Sequence, residues 1–128
     1  MRAWLNAYPD KPLPKLEYEW LGDSSGLCLS TIQAAYKVRQ YITGMYAAQY
    51  QFKLIYRTTA TTANERIAAD EALNKFAAWA ETNRPFPAIA DNIRVQKIQR
   101  DSNASLFARY DGDVEDHQIL MTLNYEVN

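Results

Sequence analysis

The stretch Tyr46-Ala47-Ala48-Gln49-Tyr50-Gln51-Phe52-Lys53-Leu54-Ile55-Tyr56-Arg57 decides the fold. Tyr46, Ala48, Tyr50, Phe52, Leu54 and Tyr56 fall on one face of an extended chain. Gln49, Gln51, Lys53 and Arg57 fall on the other, with Ile55 as the single exception. Successive side chains of a strand point to opposite faces, so this period of two specifies a long strand. One apolar and one polar face is the signature of an antiparallel sheet covered on one side.

Toward the C-terminus the period changes. Thr62-Ala63-Asn64-Glu65 fits a capping box, in which Thr62 accepts from the N3 amide and Glu65 reaches back. Ile67, Ala69, Ala72, Leu73, Phe76, Ala77 and Ala80 then recur at helical spacing through Glu81. Asn83, Pro85 and Pro87 end the helix. It is apolar on one side only, so it should lie on the apolar face of the sheet. Beyond it, Ile93 to Gln99 and Ala104 to Tyr110 read as strands, and Asp111-Gly112-Asp113 makes a turn. In the last strand His117, Ile119, Met121, Leu123, Tyr125 and Val127 alternate with Gln118, Thr122, Asn124 and Glu126.

Toward the N-terminus, Gly44 marks a break before which Tyr36, Val38, Gln40 and Ile42 alternate with Lys37, Arg39 and Tyr41. Leu27 to Ile32 and Leu16 to Leu21 read as two further strands, separated by the turn cluster Gly22-Asp23-Ser24-Ser25-Gly26. Residues 1–14 form a lead-in: a short helical or irregular segment, Arg2 to Tyr8, and a connector in which Pro9, Pro12 and Pro14 forbid a central strand. The order is β-β-β-β-α-β-β-β without βαβ alternation. It predicts an α+β fold over residues 1–128 as one domain: an antiparallel or mixed sheet with one long helix on one face.

Composition excludes more than it assigns. With 128 residues, 48% of them hydrophobic and 23% charged, the chain is of ordinary globular type. A net charge of −1 gives no sign of nucleic-acid binding. No run of about 18 apolar residues offers a membrane span, and the first residues lack a signal-peptide core. The single cysteine, Cys28, has no intrachain partner and fits synthesis in a reducing cytoplasm. Nine tyrosines suit strands and protein interfaces.

Catalytic chemistry finds little to use. The only histidine, His117, falls on the apolar face of the last strand and reads as a packing or edge residue; Cys28, between Leu27 and Leu29, reads as a small buried hydrophobe. Asp111, Asp113, Glu115 and Asp116 lie close together, but no glycine or distal glutamate is in calcium-loop register, so they read as a solvated acidic hairpin tip. The four glycines form no phosphate-binding loop. No catalytic, cofactor-binding or metal-binding residue is assigned, and the chain is expected not to be an enzyme.

One charge pattern does point outward. No acidic residue lies between Asp23 and Glu65, whereas Lys37, Arg39, Lys53 and Arg57 do. The alternation puts Lys53 with Arg57 on one polar face and Lys37 with Arg39 on another. Asp113, Glu115 and Asp116 carry the opposite sign. These seven residues are the candidates for contacts between subunits, basic sheet face against acidic loop. The alternatives are a solvated face or a weak nucleic-acid surface. Against the latter, the tyrosines of the long strand fall on the opposite face and cannot stack bases there.

Several separated pieces carry a resemblance. They are Trp4-Leu5; Arg39-Gln40-Tyr41-Ile42-Thr43-Gly44 leading to Gln49-Tyr50-Gln51-Phe52; the helix Asn64 to Glu81 with Phe76-Ala77-Ala78-Trp79; and Gln118-Ile119 through Leu123-Asn124-Tyr125. In their order and spacing the chain resembles the "minor capsid protein" family, the tail terminators of siphophages that infect Gram-positive bacteria. The resemblance implies a homo-oligomeric ring, a hexamer in tail terminators, that caps the tail tube and stops its polymerisation. It also implies a surface for the head-completion or connector protein, and a bore that passes genomic DNA without specific binding. The expected location is the head–tail junction of the virion, after assembly in the host cytoplasm, with no membrane partner and no catalytic residues. Another head–tail connector or tail-tube protein is the alternative, and a small monomeric binding module a further one.

Overall fold

The computed structural model describes residues 2–9, 11, 16–18, 26–32, 37–40, 44–88 and 91–127, with backbone alone for 2, 3 and 37–40. Its elements are α1 (Arg2–Asn6), β1 (Glu17–Tyr18), β2 (Gly26–Thr31), β3 (Lys37–Gln40), β4 (Tyr46–Thr59), α2 (Ala63–Thr82), β5 (Ile93–Arg100), β6 (Ser105–Arg109) and β7 (Val114–Val127). A short 3-10 turn, Asp111–Asp113, joins β6 to β7. The fold is the expected α+β arrangement. The sheet is mixed, because β1 runs parallel to β2 while every other pairing is antiparallel.

The decisive stretch forms the middle of this sheet. β4 and β7 pair antiparallel over their whole length, from Tyr46↔Val127 to Thr59↔Val114. The far edge of β4 is taken by β2 and β3 one after the other, and the far edge of β7 by β5 and β6 one after the other. Two long central strands are thus each flanked by an interrupted one, in the order β1-β2-β4-β7-β5. The β6–β7 turn needs left-handed backbone at Gly112 (φ 76°) and Asp113 (φ 62°), a conformation open to glycine and tolerated by aspartate.

The period-two face packs as the alternation requires. Phe52 and Leu54 of β4 and Ile119, Met121 and Leu123 of β7 are buried beneath α2. From the helix come Leu73, Phe76, Ala77 and Ala80. Burial of this kind contributes about 25 cal/mol per Å² of apolar surface, the main favourable contribution to folding. Tyr8 and Trp4 close the helix's C-terminal end: Tyr8 lies 4.9 Å from Phe76 and 5.2 Å from Trp79, and Trp4 5.2 Å from Trp79 between ring centroids. Trp4 Nε1 donates to the Pro85 carbonyl at 2.8 Å.

The helix begins where the capping residues placed it. Thr62 Oγ1 accepts from the Glu65 amide at 3.2 Å. Glu65 reaches back one residue further than a capping box asks, accepting from the Thr61 amide at 3.4 Å. At the other end the Asn83 amide donates to the Trp79 carbonyl, closing the last turn before Pro85.

Three expectations are corrected. Ile67 is 55% exposed and stands off the core, so the helix's apolar stripe starts only at Ala69. The sheet's second face is not a plain solvated surface: Cys28, Ile55, Asp116 and Thr122 are buried on it. β7 starts at Val114, which takes Glu115 and Asp116 out of the turn and into the sheet. A register shift falls between Lys37 and Arg39, whose backbones pair with Ala48 and Ala47 of β4. Parts of two expected strands (Glu19 to Leu21; Tyr36 and Tyr41 to Ile42), Pro12 and Pro14 of the connector, and most of the 22–26 turn lie outside the described residues.

Candidate functional site

The charged residues singled out by the sequence converge on one end of the β4–β7 ribbon, on both of its faces. Alternation explains the division. Arg57 and Asp116 are directly opposite in register and point away from α2; Glu115 and His117 flank Asp116 and point toward it.

On the face away from the helix, Arg57 grips Asp116 with two hydrogen bonds, Nε to Oδ1 at 2.7 Å and Nη2 to Oδ2 at 2.9 Å. Tyr110 Oη donates to the same carboxylate at 3.0 Å, and the Arg57 guanidinium lies 4.9 Å from the centre of the Tyr110 ring. A two-pronged, ring-stacked guanidinium is the strong form of this pair. The hydrogen bond to Asp116, opposed by burial, raises the Arg57 proton affinity above its already high ordinary value. Beside it, Lys53 Nζ stands 5.1 Å from the centre of the Phe107 ring. Phe107, Leu106 and Tyr110 are each more than two-fifths exposed.

On the helix face, Glu115 has no exposed surface. Arg66 Nε donates to its Oε2 at 2.6 Å, and Arg109 Nε lies 3.2 Å from the same oxygen. Burial by itself would push the Glu115 carboxyl up. Hydrogen bonds from Arg66 and His117, and the charge of Arg66, outweigh that and hold it below the usual glutamate range. His117 is wholly buried between this carboxylate and Asp70 of α2.

The complementarity expected between subunits is therefore met inside one chain for Arg57, Glu115 and Asp116. The solvated acidic tip is corrected too: of its four acids only Asp111 and Asp113 are exposed, and Glu115 and Asp116 are interior. Asp113 contributes its carbonyl to the Ala60 amide at 3.0 Å and leaves its side chain at the surface. Lys37 and Arg39 lie on β3, apart from this cluster in the sheet's register. Sequence reasoning missed four participants: Arg66 and Asp70, whose helical spacing to Leu73 and Ala77 puts them on the sheet-facing stripe, and Arg109 and Tyr110. It also missed that Phe107 and Tyr110 bring aromatic rings to the basic face that the tyrosines of β4 avoid.

His117 and Cys28 are closed off from solvent. Among the described residues no group of three or more His, Cys, Asp or Glu side chains is arranged to hold a metal, and no helix is long and apolar enough to cross a membrane. What the surface does offer is the strip of Lys53, Phe107 and Tyr110 on the sheet face away from α2. Exposed rings of this kind, with a cation laid over one of them, are the raw material of protein interfaces. Compared with known proteins, the chain matches no family model and no curated sequence.

Proposed function

We propose that the chain is a structural virion protein of a tailed phage, a tail terminator that closes into a ring on the end of the tail tube. In this reading it works without catalysis: the ring blocks further addition of tube subunits and presents a new face to the head-completion protein. DNA passes through the bore without specific contacts.

The observation that carries the reading is how the tail-terminator-like pieces of sequence meet. Trp4 packs on Trp79, so the first piece touches the helical one. Gln49 and Tyr50 pair with Asn124 and Leu123, so the long strand's piece lies beside that of the last strand. Pieces scattered through the sequence thus build one scaffold, the central ribbon and its helix. The exposed strip along β6 supports the assembly part of the reading. Edge strands with apolar side chains are adhesive unless covered, and oligomers cover them. The tail-tube alternative shares all of these features and differs in one outcome: tube subunits polymerise without limit.

The test is direct. The purified chain is added to tail tubes assembled from the tube protein of the same phage and imaged by electron microscopy. Density at one end of each tube, with tube growth arrested, is the expected result. Unchanged growth with bare ends overturns the proposal, and incorporation along the tube favours the tail-tube reading. Lys53→Glu is the informative variant, since Lys53 reaches the exposed strip. Arg57→Glu is not, because it would set two carboxylates against each other in the interior and unfold the chain for reasons unrelated to assembly.

A further inference from the structure

His117 lies at the floor of the helix–sheet interface, and each of its ring nitrogens meets a carboxylate. Nδ1 is 2.7 Å from Asp70 Oδ1 and Nε2 is 3.2 Å from Glu115 Oε1. An ionised carboxylate offers only acceptors, and a neutral imidazole carries only one N–H. With a neutral ring one of the two contacts would set lone pair against lone pair in a buried site. With the second proton in place, both become charge-assisted hydrogen bonds.

The charged and titratable neighbours come from every element around the ring. α2 supplies Arg66 and Asp70, β7 supplies Glu115, β6 supplies Arg109, and β4 supplies Tyr56, directly opposite His117 in register. Glu115 is held as an anion by Arg66 and Arg109 together, so it does not take the proton that the geometry demands. Asp70 is about one-third exposed, and water solvates its charge. The ring is the place left for the proton.

We propose that His117 carries protons on both ring nitrogens and acts as a pH-sensitive latch, clamping the first turns of α2 to the sheet through Asp70 and Glu115. The latch ties two elements through one side chain: His117 meets Asp70 on the helix and Glu115 on its own strand. Loss of the second proton turns one of these two contacts repulsive, while Arg66 and Arg109 still hold Glu115. A proton bound in the folded cluster and released on opening means that the clamp weakens as pH rises. The inference concerns the isolated chain and holds whether or not rings form.

Two measurements on the nitrogen-15-labelled chain decide it. Imidazole nitrogen shifts of His117 near neutral pH are expected to show two N–H nitrogens; one bare, pyridine-type nitrogen overturns the proposal. Amide protection factors of the first turns of α2 are expected to fall about tenfold or more as the pH is raised from neutral into the alkaline range. Asp70→Asn separates latch from scaffold. Its amide N–H can donate to a bare Nδ1 while Nε2–H still donates to Glu115, so the neutral ring is satisfied. Protection in Asp70→Asn should be flat over the same range; an unchanged pH dependence overturns the latch. Should Asp70→Asn fold poorly, the nitrogen shifts of the unaltered chain still decide.

Discussion

The two halves of α2 hold the same sheet by opposite means. From Leu73 onward the helix presents Leu73, Phe76, Ala77 and Ala80 to an apolar surface, sealed at its end by Tyr8, Trp4 and Trp79. Before Leu73 it presents Arg66 and Asp70 to Glu115 and His117. The first half derives its strength from water removed from hydrocarbon, without regard to direction. The second depends on geometry and protonation, and a charge left alone there is costly. One helix thus carries a permanent attachment and a conditional one.

Substitutions can break this contrast or sharpen it. The largest effect is expected from Phe76→Ala, which empties the centre of the apolar half: a loss of about 3–5 kcal/mol, with the pH dependence of stability unchanged. Chemical denaturation at several pH values would check both parts; a pH-dependent loss would mean that the halves are not separate. Glu115→Ala should cost about 3 kcal/mol near neutral pH, the lower end for a broken buried pair, because Arg66 and Arg109 can both turn toward water. Its pH dependence has a definite sign. The Glu115 carboxyl is held below the ordinary glutamate range in the folded state. Its contribution is therefore complete above about pH 4.3, the value for an unhindered glutamate, and is lost as pH falls through the lower, folded value. The difference between the native chain and Glu115→Ala should shrink in acid; a constant difference would remove Glu115 from the clamp. The smallest effect is expected at Ile67, which the helical spacing counted as core and the fold leaves outside. Ile67→Gln should change stability by no more than about 0.5 kcal/mol. A loss of several times that would restore Ile67 to the interface.

The same contrast marks what could be read from sequence. Leu73, Phe76, Ala77 and Ala80 announce themselves by helical period, and Phe52, Leu54, Ile119, Met121 and Leu123 by period two, because apolar residues have one preferred place. The capping threonine and the prolines fixed the helix ends for equally local reasons. Arg66 and Asp70 lie on the same stripe, but a charged residue at a core position reads as a solvated one until its partners are known. Those partners, Glu115 and His117, stand far along the chain and reach the helix only through the β4–β7 pairing. The acidic run after Asp111 looked like a loop for the same reason: Glu115 and Asp116 belong to a strand whose neighbours, Arg57 and Arg109, the local pattern does not reveal. The order of the strands was likewise invisible, since both β2 with β3 and β5 with β6 are interrupted strands whose continuity appears only along the edges of β4 and β7.

The exposed rings of Phe107 and Tyr110, with Lys53, lie on the sheet face away from α2, opposite the conditional half of the helix. The measurement that tests the assembly reading most directly is the native mass of the chain by light scattering across a wide concentration range, alone and with tail tubes, paired with negative-stain images. The account predicts one closed species of about six copies that appears as rings, free or on tube ends, in line with the closed point groups of homo-oligomers. A chain that stays monomeric at every concentration and leaves the tubes bare would contradict it.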